Sequence, residues 1–340
     1  MLAFPDPSTF EILPWRPQAN AVARMICDIR TPEGEPYAGD SRHVLERVVR
    51  RAAEDGYSFI VGPELEYFYF KDAEGTDVLD HGSYFDLTSL DSASDLRRDT
   101  VLTLEKMGIP VEYSHHEKGP SQHEIDLRYA DALSMADAVM TYKQVVKEIA
   151  MKHGVYASFM PKPMADAPGS GMHVHQSLMD RSGNNVFFDP DDPSGYNLSA
   201  TAKSYIAGLL KYAPEFYPGH EPVRELLQAP AAGRRGAHLP SAGARATARR
   251  SVRIPGYRPN SESACRVELR SPDPAANPYL AFAVMLAAGL AGIEEGLELM
   301  PRPTRPAPIG CTRYEHRAQG IETLPEILGR GRGALRGEPS

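Results

Sequence analysis

Cysteine is scarce in this sequence, and that removes one way of holding a fold together. The 340 residues contain three cysteines, Cys27, Cys265 and Cys311, far apart and without a C-x-x-C pair. An odd, sparse set excludes a disulfide framework and fits a reduced, cytoplasmic compartment. Basic charge is also in short supply. Lys and Arg number 37 against 45 Asp and Glu, a formal net charge of −8, which argues against a dedicated nucleic-acid binder. Long hydrophobic runs are missing too. The most apolar stretch, YLAFAVMLAAGLAGI from Tyr279 to Ile293, is shorter than a bilayer span and holds two glycines, so it reads as a buried helix and no membrane partner is expected. The opening MLAFPDPSTFEILPW has two early prolines and no basic n-region, so no signal peptide is expected. No internal repeat is present.

The length suits one large domain or two smaller ones, and 42% hydrophobic residues suffice for a sizeable core. A helix is predicted over 42–55, with Asp40 or Ser41 as N-cap and Gly56 just past its end. The strand pattern SFIVGPELEYFYF follows. Helical spacing of Leu133, Ala136, Val139, Met140, Val146 and Ile149 predicts a helix over 132–153, closed by Gly154. Further helices are predicted over 199–212 and 277–300. Residues 223–250, rich in Ala, Arg, Gly and Pro, and the tail 329–340 read as flexible loop or tail.

Side chains two apart on a strand share a face. Three segments use this alike. Glu64 and Glu66 flank Leu65, His173 and His175 flank Val174, and Glu268 and Arg270 flank Leu269, with Arg266 two residues earlier. Such a sheet is apolar where helices pack and chemically loaded on its other face. Crowded carboxylates lose hydration and repel, at several kcal/mol each if unpaired, and a hard divalent cation removes that cost. Taken alone, E-x-E or H-x-H also fits an exposed strand face with alternating charge. The densest segment is VEYSHHEKGPSQHEIDLR, where Glu112, His115, His116, Glu117, His123, Glu124 and Asp126 fall within fifteen residues.

Together, GPELEYF, VEYSHHEKGPSQHEID, FMPKPMADAPGSGMHVHQSL and RVELRSPDPAANPYLA resemble the catalytic domain of glutamine synthetase, in the family's order, over about 5–222 and 251–293. The resemblance implies an α+β fold: a curved, mainly antiparallel β-sheet backed by helices, of the glutamine synthetase/guanidino kinase kind. It implies that Glu66, Glu117 and Glu124 hold a metal ion near the amino-acid substrate. Glu64, His173 and Glu268 then hold the ion gripping the ATP phosphates. Glu112, His175, Ser177 and Arg266 fall at nucleotide or phosphate contacts, Gly169 at a backbone contact to glutamate, and Arg270 and Arg253 near the transferring phosphoryl group. Two or three Mg²⁺ or Mn²⁺ ions and ATP are implied, with glutamate and ammonia as small-molecule partners and a homo-oligomeric ring as the assembly. The implied reaction is an ATP-dependent carboxylate–amine ligation through γ-glutamyl phosphate.

The sequence also departs from the family. Residues 1–35 read as a remnant of the family's amino-terminal β-grasp domain and linker, residues 36–328 as the catalytic domain, and 329–340 as a tail without the family's closing helices. Between 223 and 250 the family's N-S-Y-K-R-L, P-G-x-E-A-P and N-R runs are not readable, and the pattern resumes at Ser251, as expected of out-of-frame translation of GC-rich coding sequence. Pro168 stands where the family often has Asn. Two other readings follow: the same chemistry on another amine, such as a polyamine or ethanolamine, and an inactive homologue that binds metal and nucleotide only.

Overall fold

The computed structural model describes residues 1–17, 19–87, 89–216, 236–239, 252–258 and 261–299. In chain order these form β1 (Leu2–Pro5), β2 (Glu11–Ile12), β3 (Ala23–Arg24), β4 (Cys27–Arg30), α1 (Ser41–Glu54), β5 (Ser58–Phe70), α2 (Ser94–Lys106), β6 (Val111–His116), β7 (Gln122–Leu127), β8 (Ala130–Asp131), α3 (Ala132–Lys152), β9 (Tyr156–Ser158), β10 (Met172–Met179), α4 (Ala200–Phe216), β11 (Gly236–Leu239), β12 (Val252–Pro255), β13 (Val267–Leu269) and α5 (Pro278–Glu294). The fold is α+β, with antiparallel strands backed by helices. Apart from β11, the stretch 223–250 lies outside the described residues, as do Cys311 and the tail 329–340. No helix among the described residues is long and apolar enough to cross a membrane.

The chain divides into two compact units. The first comprises Met1–Arg50, Val61–Met172 and Asp273–Ala283. In it β5, β7 and β6 lie side by side, and β8 and β9 also pair with β5. Helix α3 packs against α2 and β9, and α2 packs against β6. Asp131 caps α3 by accepting the Ser134 N–H at 3.0 Å. The guanidinium of Arg42 on α1 ties this unit's first strands to α3. It donates to Asp6 (3.0 Å), Asp28 (2.6 Å) and both oxygens of Asp137 (3.2 and 3.1 Å). Tyr279 donates to the same Asp137 at 2.6 Å.

The second unit comprises Arg51–Ile60, the described part of His173–Pro272, and residues 284–299. Its strands run in the order β11-β12-β13-β10. Helices α4 and α5 meet where they have no side chains to separate them. A Cβ on Gly208 would lie 2.2 Å from the Ala288 carbonyl oxygen, and one on Gly292 2.2 Å from that of Ser204.

The four predicted helices are present with shifted ends. Helix α4 runs four residues beyond the predicted Tyr212. Helix α5 stops at Glu294, short of the predicted 300, because Gly296 turns to φ +60°, which terminates a helix. Helix α2 was not anticipated. Three of its five buried residues, Arg97, Thr100 and Thr103, are polar, so it lacks an apolar stripe.

Candidate active site

In the first unit the β5–β7 ladder sets Glu64 opposite Asp126 and Glu66 opposite Glu124. The β6–β7 ladder sets His115 opposite Glu124. The alternate residues form the other face: Leu65, Tyr67 and Tyr69 of β5 with His123, Ile125 and Leu127 of β7, none more than 3% exposed. Tyr142 of α3 donates to the Leu65 carbonyl at 3.2 Å, and the Tyr67 and Tyr69 hydroxyls meet at 3.2 Å. That packed aromatic face fixes the strands, so the carboxylates opposite are held together despite their repulsion.

Glu117 enters from the turn after β6, where its N–H bonds the Gln122 carbonyl at 2.7 Å. Carboxylate oxygens of Glu66, Glu117 and Glu124 lie within 4.8 Å of one another, and His115, Glu124 and Asp126 form a second such triplet. Burial, reinforced by the charges of Asp126, Glu117, Glu64 and Glu66, pushes the Glu124 carboxyl well above the usual carboxylate range. An all-oxygen donor set beside an imidazole suits Mg²⁺ or Mn²⁺ rather than a thiolate-seeking metal, so these residues fit a hard divalent cation.

Neighbours hold the carboxylates in place. Tyr84 donates to Glu117 Oε2, which also accepts the Lys118 N–H at 3.1 Å. Glu66 Oε2 accepts from Gln122 Nε2 at 2.9 Å and from the Gly171 N–H at 3.0 Å. Behind β6 lies a buried polar network. His116 bonds Asp80 through Nε2 at 2.9 Å and the Glu117 carbonyl through Nδ1 at 2.6 Å. Burial opposes charge on both partners. Their mutual hydrogen bond, with the N–H groups of Gly82 and Ser92 on Asp80, outweighs it: His116 is raised and Asp80 falls well below the usual carboxylate range. Arg97 forms a two-pronged pair with Asp91 at 3.0 and 2.7 Å and reaches His123 Nδ1 at 2.9 Å. Burial, with Arg97 and His116 close by, holds His123 well below its usual range and neutral.

In the second unit, the β10–β13 ladder sets His175 opposite Glu268, and the β12–β13 ladder sets Arg253 opposite the same Glu268. Glu268 is fully buried and accepts from Arg253 and Arg270, one guanidinium on each oxygen. His173 Nδ1 lies 3.7 Å from its Oε1. Arg266 donates to His175 Nδ1 at 3.1 Å. Ser177, 7% exposed, continues the His173–His175 face of β10. Three arginines and two imidazoles around a single buried carboxylate suit an anionic group such as phosphate.

The structure therefore brings Glu66, Glu117 and Glu124 together in one unit, and His173, His175, Glu268, Arg253, Arg266 and Arg270 in the other. Glu64 stands in the first unit, two residues before Glu66. Glu112 sits at a bulge in β6, exposed. The Gly169 carbonyl accepts from Gln122 Nε2 at 2.9 Å. Sequence reasoning missed Tyr84, Asp80, Arg97 and Gln122. Only Gln122 had a signal, its place inside the QHE run; the others reach the site from α2 and the loop before it.

Carboxylates spaced for a divalent cation in one unit, and arginines flanking a buried glutamate in the other, suit the handling of metal ions and anions. The comparisons agree. Residues 38–338 match the model of the glutamine synthetase catalytic domain. Glutamine synthetase of Mycolicibacterium smegmatis is 47% identical over 336 residues, 96% of this chain and 74% of that protein. The Methanosarcina mazei enzyme is 48% identical, over 95% of this chain and 71% of its own length. A solved structure of apo GmaS superimposes with TM-score 0.80 at 31% identity, covering 98% of this chain and 75% of that one. The chain belongs to the glutamine synthetase family and is a glutamine-synthetase-like ligase.

Proposed function

We propose that the chain joins glutamate to ammonia with ATP, forming glutamine through γ-glutamyl phosphate. The observation that carries this reading is the mutual approach of Glu66, Glu117 and Glu124 within 4.8 Å, with Glu66 hydrogen-bonded to the Gly171 N–H. A γ-carboxylate oxygen attacks the γ-phosphorus of ATP, and the bond to ADP breaks. The amine lone pair then attacks the acyl carbon, the bond to phosphate breaks, and the amine proton passes to a base.

The side chains divide this work. Glu66, Glu117 and Glu124 would hold a Mg²⁺ or Mn²⁺ ion on the amino-acid side, and His173 and Glu268 would contribute ligands on the nucleotide side. Bound there, the ions neutralise charge on the reacting oxygens. Gly169 orients glutamate through its backbone. Arg270 and Arg253 stabilise the phosphoryl group in flight, and Arg266, His175, Ser177 and Glu112 orient the nucleotide. Members of the assembly are copies of this chain, and the compartment is the cytoplasm.

Pro168, next to Gly169, leaves open a second reading in which another amine, such as a polyamine or ethanolamine, replaces ammonia. An ADP-release assay with glutamate, ATP, Mg²⁺ or Mn²⁺ and a panel of amines tests both. Release that needs glutamate and ammonia supports the first reading, and preference for a larger amine supports the second. Metal-dependent ATP binding without any glutamate-dependent release sinks both and leaves a binding protein.

A further inference from the structure

Gln122 is 1% exposed, and each polar atom of its carboxamide is engaged. Nε2 has two protons. One goes to Glu66 Oε2 at 2.9 Å and the other to the Gly169 carbonyl at 2.9 Å, with Ser170 Oγ a longer contact at 3.4 Å. Oε1 accepts the Gly119 N–H at 3.1 Å. This assigns the amide orientation. Flipped, it would set an oxygen against a carboxylate and a carbonyl, and an NH₂ against an N–H. A Cβ at position 119 would lie 2.6 Å from Gln122 Oε1, so a larger residue there would displace the amide. The same side chain thus fastens three pieces of backbone and side chain: the β6–β7 turn, a carboxylate of the metal-binding triplet, and the Gly169–Gly171 loop. Glu66 is also tied to that loop directly, its Oε2 accepting the Gly171 N–H at 3.0 Å and its N–H reaching the Gly171 carbonyl at 3.1 Å.

We propose that Gln122 is a positioning residue that locks the metal-ligand carboxylate of Glu66 to the Gly169–Gly171 loop, so that the divalent cation and the amino-acid substrate bind as a coupled pair. The inference rests on the reading of Glu66 as a metal ligand and Gly169 as a substrate contact. A carboxylate with one oxygen held by two donors presents the other in a fixed direction, which raises affinity by removing its rotational freedom. The loop gains from the same amide, because one side chain holds the Gly169 carbonyl and so orients the adjoining peptide groups. Metal occupancy and substrate affinity therefore move together when Gln122 changes, and nucleotide affinity does not.

Gln122→Met keeps the volume and loses the hydrogen bonds; Gln122→Glu keeps the shape and replaces both donors with a carboxylate. The measurements are Mn²⁺ binding to the full chain, by electron paramagnetic resonance of the free ion, and the KM values for glutamate and ATP. Gln122→Met is expected to weaken Mn²⁺ binding about tenfold, raise the glutamate KM by a similar factor and leave the ATP KM within twofold. In Gln122→Glu the glutamate KM rises further. A purely structural role would lower the melting temperature and leave these constants, and their split, unchanged. A folded variant, either one alone, with Mn²⁺ affinity and glutamate KM within twofold of wild type overturns the proposal. Wild type that binds Mn²⁺ without turnover sinks the ligase reading, while the Mn²⁺ titrations still decide the positioning claim. Wild type that binds no Mn²⁺ overturns both.

Discussion

Glu124→Gln should stabilise the metal-free protein and remove most of its response to metal. The reason is the crowding of the triplet. Two full negative charges within 4.8 Å of one another repel by at least about 3.5 kcal/mol at an effective dielectric constant of about 20. Glu124 has two such neighbours in Glu66 and Glu117, so without a cation it keeps its proton well above the usual range. The sign follows. The folded state holds a proton that the unfolded chain has released, so metal-free stability falls as pH rises from the ordinary carboxylate range through the raised value. Glutamine carries no such charge. In EDTA at pH 8 the variant should gain about 1–3 kcal/mol, a melting-temperature rise of roughly 2–4 °C per kcal/mol, and the two proteins should converge in acid. With Mn²⁺ at about 100 times its Kd, wild type gains about 2.7 kcal/mol, whereas a variant binding a hundredfold more weakly gains about 0.4 kcal/mol. Thermal melts in EDTA and in Mn²⁺ across pH 5–8 read both effects. A variant less stable than wild type in EDTA at pH 8, or one that keeps the full Mn²⁺ gain, refutes the argument.

Three further outcomes test the scaffold. Arg42→Ala leaves Asp6, Asp28 and Asp137 without their shared partner and should cost about 3–5 kcal/mol in urea unfolding; Arg42→Lys should recover little, since an ammonium cannot make the forked contact with Asp137. Gly289→Ala drives a methyl to 2.0 Å from the Tyr205 ring and should destabilise by about 1–3 kcal/mol or more, read as a lower unfolding midpoint. Asp80→Asn removes the carboxylate from His116. The contribution of Asp80 is lost as pH falls through its depressed value, and that of His116 as pH rises through its raised one, so the destabilisation should be greatest between the two and shrink at alkaline pH in a melt series.

Much of this arrangement was legible in the sequence because strand alternation is local. GPELEYFYF and QHEIDL each place carboxylates on one face and apolar or aromatic groups on the other, and the fold sets them in adjacent strands. The E-x-E and H-x-H spacings needed only the two-residue period. What was not legible depends on contacts distant in sequence. Tyr84 reaches Glu117 across 33 residues, and Asp80 reaches His116 across 36. Helix α2 escaped because three of its five buried residues are Arg97, Thr100 and Thr103, whose burial is sustained by hydrogen bonds rather than apolar periodicity. The extra length of α4 and the early end of α5 were set by packing and by the positive φ of Gly296.

The same alternation makes register the property on which the candidate site depends. A slip of one residue in β7 would turn Glu124 and Asp126 toward Tyr67, Tyr69 and Tyr142, and bring His123 and Ile125 to the carboxylates of β5. Hydrophobic burial alone resists this poorly at β7, because one residue of its core face is itself a histidine. The register is instead held at both faces. On the core side, Arg97 pins His123 through Nδ1, and the ring packs 5.0 Å from Tyr69. At the first residue of the strand, Gln122 bonds Glu66, the Gly169 carbonyl and the Gly119 N–H. Each of those contacts exists in one register only. Residues that bind no substrate therefore determine whether the metal ligands face the site at all, which is why a polar network is retained in a core where apolar packing would be simpler.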